Sequence, residues 1–305
     1  MKIKHLLLFV TITSSLLAGE ILVEETQVLF GGTDNPHFFP DYTQDGQSIL
    51  ITKAAYTGLW ILDRASLDIN RISDATGSGY EPRSLSNGLI IFRQDEYRKG
   101  RKYTSLLQTN LKDTKIIAEA ARFVSPANVV NDRLIYLVNE TPVIQNGING
   151  QRESSQTGYR AVLNDKLSLK VLKDGTSTTI APQGDGNYIW AELAPAGDKI
   201  VYTKVGQGTY ICDLNGNVLT DLGVAHAPKW SPDGNFLVYM DDHDDGNLYT
   251  ASEIWIIAQD GTQAWMITNT PDRIEMYPNW SPDGNHIIYH TLQGEIIQTT
   301  IRIRD

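Results

Sequence analysis

The six-residue segment Trp230-Ser231-Pro232-Asp233-Gly234-Asn235 returns fifty residues later, unchanged, as Trp280-Ser281-Pro282-Asp283-Gly284-Asn285. Proline presets φ at one turn position and glycine takes the positive φ that closes the turn, so each copy reads as a tight reversal. Apolar, β-branched and aromatic residues follow each turn, in Phe236-Leu237-Val238-Tyr239 and His286-Ile287-Ile288-Tyr289. Each copy is therefore a β-hairpin. A hairpin repeated at this interval restricts the chain to architectures built from small, similar sheets.

Four weaker copies precede these two: Pro40 to Ile51, Pro82 to Phe92, a degenerate one from Phe123 to Tyr136, and Leu193 to Tyr202. Their turns fall at Gly46, Asn87, Asn131, Gly197, Gly234 and Gly284, with one long interval of 66 residues between Asn131 and Gly197. A second strand pair lies between hairpins, most clearly Ser252 to Ile257, the Asp260-Gly261 turn, and Ala264 to Thr268. No helical periodicity appears after residue 19. The expectation is an all-β chain forming a six-bladed β-propeller of four-stranded antiparallel blades. Blades start near residues 38, 80, 123, 189, 226 and 276 of a single domain over 20–305, and the 66-residue interval is read as one blade with a large insertion. The last blade runs out of sequence after Glu295 to Ile301, whereas residues 26–31 form a strand with no blade of their own. The N-terminal strand is thus expected to complete the C-terminal blade, because an open ring would expose two sheet edges.

Residues 1–19 combine Lys2 and Lys4 with an interrupted apolar run and Ala18-Gly19. This pattern reads as a signal peptide and predicts a periplasmic or secreted protein with no stable membrane span after processing. No cysteine follows Ala18-Gly19 to carry a lipid anchor. The full chain has 26 basic and 36 acidic side chains, for a net charge of −10, which disfavours nucleic acid as a partner. Cys212 is the single cysteine, so no internal disulfide is available and it reads as a small buried side chain.

The Trp-Ser-Pro-Asp-Gly hairpin, the Ile254-Trp255-Ile256 strand, the Asp-Gly turn and the Met266-Ile267-Thr268 strand together resemble the WD-repeat-like blades of TolB-like propellers. The likeness is sharpest in the last two units and extends over the chain beyond the signal segment. It implies a propeller of the bacterial envelope. TolB carries an α/β domain ahead of its propeller, and no counterpart lies between residue 20 and the first hairpin, so the resemblance is to the propeller and not to TolB itself.

Strand alternation sends the loops between second and third strands, and the crossings between blades, to one face of the disc. That face is the expected binding face, because loops on a rigid scaffold carry function. Its residues are His37, Tyr80, Glu81, Arg98, Arg101, His226, Asp241, Asp242 and Glu275, together with a polar segment from Asn139 to about Asn164 read as the blade-three insertion. Asp241 and Asp245 are weak candidates for a calcium site, and no cofactor is otherwise expected. No nucleophile, zinc-protease or phosphate-loop motif occurs. The sequence thus favours a non-enzymatic binding or scaffold protein whose partner is a protein or envelope component. The alternative is a carbohydrate- or peptide-processing lyase or hydrolase with its site at the channel.

Overall fold

The computed structural model describes residues 20–139, 141–151, 160–165, 167–173 and 176–304; residues 1–19, expected to be a signal peptide, lie outside them. The chain is an all-β propeller with seven sheets, not six. The missing blade is hidden in the long interval. Blade three comprises Asn128–Val130, Arg133–Val138 and Thr141–Asn146, and blade four comprises Arg160–Asp165, Ser168–Lys173 and Thr176–Ile180. Among its described residues, the segment expected to be an insertion supplies the strands Thr141–Asn146 and Arg160–Asp165 to two different blades, and Ile144 within it is buried. The first two strands of blade four are joined by only two residues, without the Pro-x-Gly chemistry of the turns at Gly197, Gly234 and Gly284.

The remaining five sheets have four strands each. Blade one runs from Phe38 to Ser73, blade two from Arg83 to Ala121, blade five from Tyr188 to Gly223 and blade six from His226 to Met266. Blade seven takes Glu275–Trp280, His286–Thr291 and Glu295–Arg304 from the C-terminus and its outermost strand, Glu20–Gly31, from the N-terminus. Pairing runs from Glu20 opposite Arg304 to Gly31 opposite Glu295, longer than the expected 26–31. The closing strand passes into blade one over the Gly294 carbonyl, which accepts hydrogen bonds from the Gly32 and His37 amides. A side chain at Gly31 would place its Cβ 2.1 Å from that oxygen, so only glycine fits.

Seven apolar clusters hold the disc together, and each joins two neighbouring blades. One gathers Val201 and Ile211 of blade five with Trp230, Leu237 and Ile257 of blade six; another joins Ile288 and Ile296 of blade seven to Tyr42, Ile49 and Ile51 of blade one. A blade sandwiched on both sides needs apolar residues at consecutive positions. That is why the second strands read Ile49-Leu50-Ile51 and Leu237-Val238-Tyr239-Met240, with all seven side chains buried.

The Pro-Asp-Gly turns share one face, here the bottom. The Ser231 hydroxyl donates to Asp233 at 2.5 Å and accepts from the Phe236 amide at 3.0 Å; Ser281 and Thr43 repeat the arrangement with Asp283 and Asp45. Burial pushes the Asp233 carboxyl up, but hydrogen bonds from Ser231 and Asn235 outweigh it and hold the group below its ordinary range. Successive turns also nest. A Cβ at Gly234 would lie 3.5 Å from Pro195, one at Gly284 3.8 Å from Pro232, and one at Gly46 3.5 Å from Pro282. The bottom face is thereby committed to packing. Trp230 and Trp280 are buried, and their indoles donate to the Glu192 and Lys229 carbonyls of the preceding blades. No helix among the described residues is long and apolar enough to cross a membrane.

Candidate functional site

The innermost strands surround an open channel of about 1620 Å³. In four blades the innermost strand is interrupted by a residue in the left-handed region, Phe39 at φ 52°, Trp190 at 53°, Ala227 at 46° and Tyr277 at 51°, and Glu81, at 48°, takes the same conformation just ahead of the innermost strand of blade two. Four of these sites coincide with breaks in strand register. Such bulges re-aim side chains, and left-handed backbone at bulky residues is costly enough to be kept only where the surroundings enforce it. All five residues line the channel.

At the top mouth these side chains join residues from the loops in an aromatic arc. Tyr80 meets Tyr56 edge-on at 4.8 Å between ring centroids, Tyr56 packs on Phe39 at 4.4 Å, and Phe39 meets Tyr277 at 4.7 Å. Trp190 stands 6.3 Å from Tyr277 and 5.6 Å from His226. All remain half-buried, with ring surface open to the mouth. The Arg93 guanidinium backs Tyr80 at 4.3 Å and donates to the Val124 carbonyl, which fixes that ring. Tyr249, on the third strand of blade six, approaches Tyr277 closely enough for the two phenols to interact.

Deeper in the channel a belt of charge crosses the disc. Arg83 pairs with Asp41 at 3.4 Å and with Glu81 at 3.3 Å, and Lys229 with Glu192 at 3.5 Å. About a third of the Asp41 and Glu192 side-chain surface faces the channel, but they lie deep in the disc, away from bulk water. Burial raises the proton affinity of both carboxyls, and Arg83 and Lys229 each oppose that rise at both acids. The four therefore act as one crossed group.

Of the residues expected on the binding face, Tyr80, Glu81, His226 and Asp242 converge on the mouth. His226 Nδ1 and Asp242 Oδ1 are 2.6 Å apart, and that hydrogen bond raises the histidine's proton affinity. Asp241 lies beside this pair. Arg98 and Arg101 sit at the tip of the blade-two hairpin, where Arg98 pairs with Glu96 and covers Tyr103. Asp245 accepts the Asn247 and Leu248 amides within an exposed turn, and no cluster of three metal-ligating acid, histidine or cysteine side chains occurs among the described residues. Cys212 is fully buried, and burial pushes its thiol up to about 12.

Two expected site residues lie elsewhere. His37 is buried under the closing junction, with Nδ1 2.9 Å from the Asn35 carbonyl and its ring edge-on to Phe30 and Trp60. Glu275 is 1% exposed, in a pocket with Glu253 under the crossing from blade six to blade seven. The Thr270 hydroxyl donates to Glu275, while Glu253 accepts from the Thr268 hydroxyl at 2.6 Å and the Thr270 amide at 3.0 Å. Burial, with the Glu253 charge adding, pushes Glu275 up to about 7 against the Thr270 bond.

A carboxyl that holds its proton more tightly when folded contributes stability fully present below the unfolded value near 4.5 and lost as pH rises through the folded one. Glu275→Gln is therefore expected to raise stability at pH 8 by on the order of 1 to 2 kcal/mol and to change little at pH 4.5. Urea melts at the two pH values check this; an equal change at both contradicts it.

Phe39, Tyr56, Trp190, Tyr249 and Tyr277 were not among the residues expected from sequence. The available signal was the residue ahead of proline in Phe39-Pro40, Glu81-Pro82, Ala227-Pro228 and Tyr277-Pro278, which recurs in or just ahead of four of the inner strands.

No family model matches the sequence, and no curated protein matches it. Among solved structures, the fold is similar to an oligogalacturonate lyase from Vibrio parahaemolyticus, with a TM-score of 0.57 and 11% identity over 93% of this chain and 98% of that one. At that identity the likeness shows the fold alone, and the fold is a β-propeller.

Proposed function

We propose that this is an exported binding protein of the cell envelope, TolB-like in its blades, that takes a protein or envelope component at the top mouth of its channel without transforming it. The observation that carries the reading is the aromatic arc: costly left-handed bulges turn Phe39, Trp190 and Tyr277 toward an open cavity where packing alone would bury them. Half-exposed aromatic rings around a concave site are the usual anchors of recognition. The nested turns of the opposite face leave few free groups for specificity. The signal-like segment at 1–19 supports export.

Tyr56 and Tyr249 flank the mouth and are only half-buried, so replacing both tests binding with little risk to the core. Tyr56→Ala/Tyr249→Ala is expected to retain the melting temperature and to lower recovery of the copurifying partner, each ring contributing about 2 kcal/mol. Unchanged recovery contradicts the assignment.

A second reading rests on the His226–Asp242 pair, an oriented imidazole beside the open mouth. Here the protein is a lyase or hydrolase acting on a carbohydrate or peptide, with His226 as the base, as the lyase named for the similar structure suggests. Turnover distinguishes the two: under this reading the protein cleaves an oligosaccharide or peptide and His226→Gln abolishes that cleavage, whereas under the first reading neither protein shows turnover.

A further inference from the structure

Charge is unevenly distributed around the mouth. On the blade-two side, Arg98 is matched by Glu96 and Lys102 by Asp95 within one hairpin. The blade-six hairpin carries Asp241, Asp242, Asp244 and Asp245, and among the described residues no lysine or arginine forms an ion pair with any of them; only His226 engages Asp242. Protonating His226 offsets that one carboxylate and leaves Asp241 and Asp244 uncompensated, on a chain whose net charge is already −10. The same side holds Trp190 and Tyr277, with ring planes at 76°, and Tyr249, whose phenol senses both Asp242 and Asp244.

We infer that the mouth holds its ligand by a cationic group, an alkylammonium or guanidinium, seated among Trp190, Tyr249 and Tyr277 with the blade-six carboxylates as counter-charge. The inference rests on the reading that the mouth is the binding site, and adds the chemical class of what enters. Ring faces present negative potential, so crossed rings draw a cation. The protein already uses this contact at Arg93 over Tyr80 and Lys204 over Tyr188, both at 4.3 Å. Carboxylates at the rim add long-range attraction and disfavour a polyanion such as an oligouronate. The cation can come from a lysine or arginine side chain of a peptide or from a free polyamine.

The test is isothermal titration of residues 20–305 with terminally blocked triarginine, trilysine and tricitrulline, the last uncharged, and with spermidine and trigalacturonate. Saturable binding of a cationic probe at one site is expected, at least tenfold tighter than tricitrulline, and weakened tenfold or more by Tyr249→Leu or Asp241→Asn. Asp198→Asn, on the bottom face, is expected to leave it unchanged. Tighter binding of the tripeptides identifies a peptide source, and tighter binding of spermidine a polyamine; either supports the inference. Equal affinity for tricitrulline and triarginine, preference for trigalacturonate, an equal loss on Asp198→Asn, or no binding of any cation overturns it. Partner recovery that still depends on Tyr56 and Tyr249 would then leave the mouth as the binding site, whereas recovery unchanged by their loss overturns the function proposed above.

Discussion

Removal of residues 20–30 is expected to leave a chain that aggregates and melts about 10 °C lower. The reason is topological. Blade seven is made from both ends of the described chain, and its last strand, Glu295–Arg304, loses its outer neighbour when Glu20–Gly31 is cut back. The apolar cost is modest, since only Ile21 and Leu29 of the removed strand are buried. The larger loss is the hydrogen-bonded ladder, whose donors and acceptors become a free edge able to pair with another chain. The removal also opens the ring between blades seven and one, where Leu29 joins the interblade cluster. Light scattering and calorimetry check this, and a synthetic peptide of residues 20–31 is expected to restore part of the lost melting temperature. A truncated chain that melts with the chain of residues 20–305 contradicts strand-shared closure.

Trp280→Ala is expected to cost about 3 to 5 kcal/mol through the cavity it leaves. Trp280 packs where blade six meets blade seven, and its indole donates to the Lys229 carbonyl at 3.1 Å. The substitution empties that space and removes the carbonyl's donor. Because Lys229 belongs to the charged belt of the channel, the indole also steadies the strand that positions it. Trp280→Phe, which keeps part of the volume, is expected to cost less. A denaturation midpoint unchanged in Trp280→Ala, accompanied by loss of binding alone, contradicts the packing assignment.

The turn chemistry made most of the fold readable. Pro-Asp-Gly at two hairpins and its relatives at Thr43 to Ser48 and Ala194 to Lys199 mark four blades, Ser86-Asn87-Gly88 marks a fifth, and Asn131-Asp132, both left-handed in the structure, mark a sixth. Blade four escaped because its first hairpin turns without proline or glycine, so that Leu169-Lys170-Val171-Leu172 and the Asp174-Gly175 turn after it read as part of an insertion. The interval from Asn131 to Gly197 then held two blades and was read as one. The closing strand was legible from the C-terminal blade's missing edge, which topology alone requires to be filled.

The site was legible only in part. Loop position was enough to bring Tyr80, Glu81, His226 and Asp242 forward, because crossings and hairpin tips share a face. It also brought His37 and Glu275, which lie on the same crossings but point into the packing between blades. Strand direction does not reveal which way a side chain turns at a bulge, and the bulges are what bring Phe39, Trp190 and Tyr277 to the channel. The charged belt was hidden for a related reason. Asp41, Arg83, Glu192 and Lys229 are far apart in sequence and meet only because four inner strands face one narrow space.

The central claim, that recognition occurs at the top mouth, is tested most directly by comparing the two faces in one partner-recovery experiment. Tyr56→Ala/Tyr249→Ala alters the mouth, and Gln44→Arg/Asp198→Arg alters exposed positions at the bottom turns. With all proteins shown to melt like the unsubstituted chain, recovery is expected to fall at least tenfold for the mouth pair and to hold for the bottom pair. Loss with the bottom pair and full recovery with the mouth pair would contradict the account.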